Sequence, residues 1–330
     1  MTAPPHRLPH PDTPESRARW LHDIGGLSLE EIGWRLGLPP ERVQALLDQG
    51  PTEPVNLGPG AEGERMIRRL ARRLRERFGL SAVSIAPLAP GDTDPIPAVA
   101  AAAARHLIRL LQVRHAPQSI GLSHGRTIAA MVAQLPEMRL ENLRFISLLG
   151  ELTVANTAYP HVVMSQLAQR LGAQAFPFPT ALYASGPDEC GALLRQPVVA
   201  RVLDMARAAD VWVVGIGRGA PENQLHQSGM IGTPDLTEIV GLGAACEIVG
   251  RFFDAAGKEL PSALAERTLS VSAADFAGRR VIGLAGGPDK VAALHAALAG
   301  GLLQDLVTDS RTAVALLDEE EQFEFAPLLG

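Results

Sequence analysis

Apolar positions along the chain fall into three regimes. From Pro14 to Gln49 they recur at helical intervals of three and four residues. The next run, GPTEPVNLGPGAEG over 50–63, is rich in proline and glycine and has neither helical nor strand period, which predicts a linker. After it, Glu64 to Phe78 aligns Ile67, Leu70, Leu74 and Phe78 on one stripe, with Arg65, Arg68, Arg69, Arg72, Arg73, Arg75 and Arg77 mostly off it. That pattern predicts an amphipathic connector helix. From Ala82 onward short apolar runs alternate with helical segments: Val83–Ala86, Ser119–Leu122, Phe145–Leu149, Val211–Gly215, Val281–Leu284 and Leu306–Thr308. Such alternation predicts an α/β domain, a doubly wound, Rossmann-like parallel sheet covered by helices on both faces, whose ligands sit at the carboxyl ends of its strands. The resulting division is a disordered tail over 1–13, a small all-α unit over 14–50, a linker over 51–63 and a large domain over 64–330.

Within the small unit, Ser28 precedes a helical run and Glu31 follows three residues later, the spacing of a capping box. The helix reads to Leu36, Gly37 permits a tight turn, and Pro40 opens a second helix through Leu47. Ile32, Leu36, Leu38, Val43, Leu46 and Leu47 form its small core. Together with a preceding helix ending near Ile24, this is the spacing of a helix-turn-helix, whose second helix lies in a DNA major groove. Ser28 and Pro40 set the two helix starts, and Arg42, Gln44 and Gln49 are the groove-facing candidates. An ordinary helical hairpin used for oligomer contacts is the competing reading.

Charge changes this picture only mildly. Residues 1–77 carry 12 Lys/Arg against 11 Asp/Glu and the remainder 18 against 25, so a near-neutral head precedes an acidic body. No apolar run approaches the ~20 residues of a membrane span, and no signal-peptide core opens the chain, so a cytoplasmic protein is expected. Cys190 and Cys246 lie far apart, which indicates neither a disulfide framework nor a metal site. A GxGxxG fingerprint with its distant acid is also lacking, so no cofactor is expected.

Four segments carry candidate binding chemistry. In SIGLSHGRT (119–127) a strand runs into a turn that opens a helix, where Ser123, Gly125, Arg126 and Thr127 can hold an anion through amides, hydroxyls and the helix dipole. A glycine turn with a surface arginine is the plainer alternative. After Val211–Gly215, Gly215 and Gly217 permit close approach of a ligand or of another backbone. Glu247 stands in an otherwise apolar stretch, as a partner for a sugar hydroxyl or as a structural acid paired with Arg251 or a nearby amide. Lys290, one of only two lysines, follows a strand and precedes a helix, a position suited to a phosphate and also to a solvated surface lysine.

In order, LSLEEIGWRLGL, LRERFGL, IGLSHGRTI, VVGIG, GAACEIVGRFFDAAG, VIGLAGGPDK and LVTDSRTAVALL resemble the SorC/DeoR-type sugar-binding transcriptional regulators over nearly the whole chain. His124, Glu151 and Cys246 depart from the residues common in that family. The resemblance implies a DNA-binding head, an effector and oligomerisation domain related in fold to sugar-phosphate isomerases, and a homo-oligomer, commonly a tetramer. It implies a regulator, a repressor in the first instance, of a carbohydrate or polyol catabolic operon, with operator DNA and a phosphorylated sugar or polyol as partners. Gly125, Arg126 and Thr127 would then cradle phosphate, Gly215 and Gly217 allow close approach, Glu247 accept a hydroxyl, and Lys290 meet phosphate or carbonyl. An isomerase or deaminase on the same fold is the alternative; no acid–base pair on adjacent strand ends is evident, and a helix-turn-helix has no part in such chemistry.

Overall fold

The computed structural model describes residues 18, 28–48, 61–89, 91–113, 116–151, 160–219 and 223–329. In the head, α1 (Leu29–Leu36) and α2 (Pro40–Asp48) meet across a turn at Gly37, whose φ of 67° is left-handed. The Ile32 amide donates to the Ser28 carbonyl at 2.9 Å, so α1 starts where the capping residue predicts. Ile32, Val43 and Leu46 are buried with Ala18, and Leu29, Leu36, Leu38 and Leu47 pack around them. Gln49, the expected tail, the preceding helix apart from Ala18, and linker residues 51–60 lie outside the described residues.

The connector helix α3 (Ala61–Phe78) begins three residues before the expected Glu64. It leads into β1 (Ala82–Ala86), α4 (Ile96–Gln112), β2 (Ser119–Leu122), α5 (Arg126–Gln134), β3 (Arg144–Ser147), α6 (Pro160–Leu171) and β4 (Gln174–Phe176). Then follow α7 (Pro187–Leu194), α8 (Pro197–Ala208), β5 (Val211–Gly215), β6 (Gly217–Arg218), α9 (Gln224–Gln227) and α10 (Thr233–Gly241). The chain continues through β7 (Cys246–Ile248), β8 (Arg251–Phe253), α11 (Ala263–Glu266), β9 (Val281–Leu284), α12 (Val291–Ala299), β10 (Asp305–Asp309), α13 (Ser310–Ala315) and α14 (Glu319–Gln322).

Seven parallel strands form one sheet in the order β1-β10-β9-β5-β2-β3-β4. Its middle strands read as continuous apolar runs because both faces are covered. In β5, Val211 and Val213 join the cluster under α4, α5 and α6, while Trp212 and Val214 join the cluster under α3, α8 and α12. The six expected strands are all present, with Leu149 reduced to an isolated bridge to Ser270. Two features escape the periodicity: the three-residue edge strand β4, and a separate antiparallel sheet in the order β6-β7-β8.

Strand order reverses between β2 and β5. The chain steps from β2 outward to β3 and β4, then returns to β5 and steps the other way to β9 and β10. Connections after β2 and β5 therefore diverge and leave a crevice at their carboxyl ends.

Helix α3 is fastened to the sheet domain in two ways. Leu70 and Leu74 are fully buried, worth about 1.5–3 kcal/mol each. Arg77 makes a two-bonded pair with Asp318 at 2.6 Å, Arg73 pairs with Glu321 and Arg69 with Glu324. Those pairs lie at the surface, where each contributes about 0–1 kcal/mol. Burial dominates the attachment, so Leu74→Ala should lower unfolding free energy by roughly 2–5 kcal/mol. Urea denaturation checks this, and a loss no larger than that of Arg73→Gln would contradict it.

Candidate functional site

The crevice opens into a cavity of about 390 Å³. All eight residues singled out for ligand binding line it: Ser123, Gly125, Arg126 and Thr127 after β2, Gly215 ending β5, Gly217 in β6, Glu247 in β7, and Lys290 before α12. They are brought together from four separate stretches of chain.

Ser123 holds the crevice itself. Its amide donates to the Val213 carbonyl at 3.0 Å, and its hydroxyl accepts from the Gly215 amide at 3.0 Å while donating to the His124 carbonyl at 3.3 Å. Both polar groups are thereby engaged within the protein, which makes Ser123 a clasp between β2 and β5 as well as a lining residue. Gly125 has φ 142°, a conformation that favours glycine, and no side chain caps α5. Helix α5 thus starts at Arg126, inside the 119–127 segment, placing Arg126 and Thr127 in its first turn, where backbone amides have no partner within the helix, and both line the cavity. Ile96 at the start of α4 and Lys290 at the start of α12 line the same space. Three helix N-termini converge there, each carrying positive partial charge.

Lys290 is half-buried; its amide donates to the Gly287 carbonyl at 3.0 Å, and its ammonium makes no hydrogen bond or ion pair among the described residues. Burial pushes its ammonium below the ordinary lysine range, with Asp289 and Glu247 opposing that shift and Arg218 and Arg126 adding to it. Burial likewise pushes the Glu247 carboxyl above its ordinary value, against the Gly250 amide and the charge of Lys290. Glu247 Oε1 accepts from the Gly250 amide at 2.6 Å. A Cβ on Gly217 would press on the Glu247 side chain, so glycine here leaves room for the carboxylate where it stands. Of the two structural partners open to Glu247, the backbone amide is realised, while Arg251 pairs instead with Glu259 at 2.6 Å. Between Glu247 and Arg251 the hairpin turns through Val249, a β-branched residue at φ 53° that lines the cavity. Such backbone costs about 1–3 kcal/mol, and the Glu247 carboxylate bonds to the very turn that carries it.

Sequence reasoning missed the brace behind the Gly286–Lys290 wall. Asp309, fully buried, accepts from the Gly287 amide at 2.9 Å, the Thr312 amide at 2.8 Å and the Thr312 hydroxyl at 2.6 Å, and Thr312 Oγ1 lies 2.7 Å from the same Gly287 amide. The signal was present as Asp309-Ser-Arg-Thr312, an N-cap directly after an apolar strand. Also missed was the 93–96 segment ahead of α4, which forms the opposite wall. In the head, Ser28, Pro40, Arg42 and Gln44 are exposed, with Arg42 and Gln44 flanking the buried Val43.

A cavity at the switch point of a doubly wound sheet, with a connector helix and a small helical head ahead of it in the chain, fits a regulator that binds a ligand. The family described as "Putative sugar-binding domain" matches residues 65–318, and the chain belongs to it. Among its relatives, the erythritol catabolism regulatory protein EryD of Brucella abortus (strain 2308) is 36% identical over 305 residues, covering 92% of this chain and 96% of that protein. The transcriptional regulator LsrR of Escherichia coli (strain K12) is 30% identical over 311 residues, covering 92% and 93%. In fold, the full-length sorbitol operon regulator SorC from Klebsiella pneumoniae superposes with a TM-score of 0.72 at 22% identity, over 92% of this chain and 98% of that one. These named relatives are regulators, as the SorC/DeoR resemblance implies. Among the described residues no helix is long and apolar enough to cross a membrane.

The raised Glu247 carboxyl has a consequence for stability. Above its ordinary value of 4.5, the folded chain retains a proton that the unfolded chain has released, so stability falls as pH rises through that window. Glu247→Gln keeps an acceptor for the Gly250 amide and should flatten this fall. Urea midpoints from pH 4.5 upward test it, and parallel curves for the two proteins would contradict the shift. Asp309→Ala, by unbracing Gly287, should lower stability by about 1–3 kcal/mol, measured the same way at pH 7.

Proposed function

We propose that the chain is a DNA-binding transcriptional regulator, a repressor of a carbohydrate or polyol catabolic operon, whose cavity takes a phosphorylated sugar or polyol. The observation that carries this reading is the convergence of three helix N-termini, Arg126 and the Lys290 ammonium on one cavity, with Glu247 in its wall beside the more exposed Asp94 and Asp289. Cationic groups and helix N-termini suit a phosphate, and Glu247 suits a hydroxyl. The volume is at the small end of ligand pockets, in keeping with a short polyol phosphate. Similarity to a protein named for erythritol catabolism makes erythritol and its phosphate esters the first compounds to try.

In this reading α2 enters the major groove with Arg42, Gln44 and Gln49 toward the bases, while Ser28 and Pro40 fix the helix starts. A homo-oligomer, a tetramer by family resemblance, sums contacts over half-sites. Effector binding favours one arrangement of the oligomer over another, and the shift is bounded by the difference in effector affinity between them. Glu247 and Lys290, displaced toward each other in pKa within one cavity, are the observation that favours catalysis instead. Turnover of sugar phosphates without any effect on DNA binding would select that second reading.

Fluorescence anisotropy on duplex DNA from upstream of the chain's own operon, with and without phosphorylated sugars and polyols, tests the proposal. Specific binding shifted by one of these compounds is expected. Lys290→Ala and Arg126→Ala should each abolish that shift and leave effector-free DNA affinity within about twofold, since neither residue lies in the head; an unchanged response in both would remove the cavity from the account.

A further inference from the structure

The connector helix carries a basic face on the side away from the buried Leu70 and Leu74. Leu70 and Leu74 turn inward, and Arg69, Arg73 and Arg77 meet Glu324, Glu321 and Asp318. On the remaining side Arg65, Arg68, Arg72 and Arg75 are all exposed, Arg68 and Arg72 by 67% and 69% of their side chains. Steps of three, four and three residues set them in a row about 15 Å long. Arg68 and Arg72 meet only Glu64 at 3.4 Å and Glu76 at 4.0 Å within the helix, pairs worth a few tenths of a kcal/mol and readily exchanged.

The head cannot supply this charge. Residues 14–50 hold four arginines against six acids, while α3 holds seven arginines against three glutamates, in a chain of net charge −6. Affinity for duplex DNA rests largely on phosphate neutralisation, so a head of net charge −2 is poorly equipped to bind alone. Residues 49–60 join α2 to α3, a tether of at most about 45 Å, little more than one turn of duplex at ~34 Å. Arginine rather than lysine throughout also suits paired bonds to phosphate oxygens.

We propose that the Arg65–Arg68–Arg72–Arg75 face of the connector helix is a second DNA-contacting surface, which neutralises backbone phosphates beside the site read by the head. The proposal rests on the DNA-binding reading above and adds to it where most of the electrostatic affinity arises. Phosphate contacts position without reading sequence, so this face strengthens binding to operator and non-operator DNA alike, and the exposed acids of the body keep the rest of the molecule off the duplex.

The test compares the full chain with the variant Arg65→Gln/Arg68→Gln/Arg72→Gln/Arg75→Gln. Anisotropy titrations use a labelled random-sequence duplex and the upstream duplex over a range of KCl concentrations. With about 0.9 lost per phosphate, the slope of log K against log salt should shrink by roughly 2–4 per chain. Affinity near 0.1 M KCl should fall tenfold or more by the same factor on both duplexes. The melting curve and sedimentation mass should be unchanged, because all four side chains are exposed. An unchanged slope on both duplexes overturns the proposal, and an unchanged slope with an altered mass assigns the face to contacts between copies instead. If the wild-type chain fails to discriminate the upstream duplex, the operator reading falls, while the slope on random DNA still decides the arginine face. No binding to either duplex overturns both.

Discussion

The arrangement depends on one topological constraint: β2 and β5 are adjacent, parallel and followed by connections that leave in opposite directions. Covering helices cannot roof the gap between such connections, so a crevice is built into the sheet before any ligand-binding side chain is chosen. The Ser123 hydroxyl then bonds across it to the Gly215 amide, fixing the two loops at one separation. Around that clasp the sheet delivers the first turn of α5 from one side and the Gly215–Gly217 segment from the other, while β9 adds Lys290 at the next strand end. The small β6-β7-β8 sheet closes the space with Glu247.

Charges of both signs line the cavity. Helix N-termini, Arg126 and Lys290 stand on its walls with Glu247, Asp94 and Asp289, and burial works against the charge of both Lys290 and Glu247. An ammonium that is half-buried and without a hydrogen-bond partner has the most to gain from a bound phosphate. Glu247 is placed differently, since one oxygen already holds the Gly250 amide of a turn whose Val249 is in left-handed backbone. A ligand hydroxyl reaching that carboxylate would meet a group coupled to hairpin geometry, which links occupancy of the cavity to the conformation of its wall.

Much of this was legible in the chain. Apolar runs of three to five residues between helical segments located all six long strands, because buried parallel strands cannot hide their composition. Glycine- and lysine-bearing turns after those runs located the cavity residues, because ligands of such sheets gather at strand ends. Strand β4 stayed hidden in three residues of mixed polarity at an edge. The β7–β8 hairpin was masked by the same apolar character that drew attention to Glu247: with both faces covered there is no alternation to read. Asp309 and Thr312 were overlooked as site residues because their part is to hold the Gly287 amide from behind, a long-range contact that local spacing does not encode. The role of Ser123 as a clasp, too, becomes visible only when β2 and β5 are placed side by side.

The most direct measurement of the central claim, that this cavity is an anion-binding effector site, is calorimetric titration of the full chain with erythritol phosphate, with erythritol itself, and with the phosphate ester in excess inorganic phosphate. One phosphate ester bound per chain, much weaker binding of the free polyol, and competition by inorganic phosphate are expected. Equal affinity for ester and free polyol, with no competition from phosphate, would contradict it.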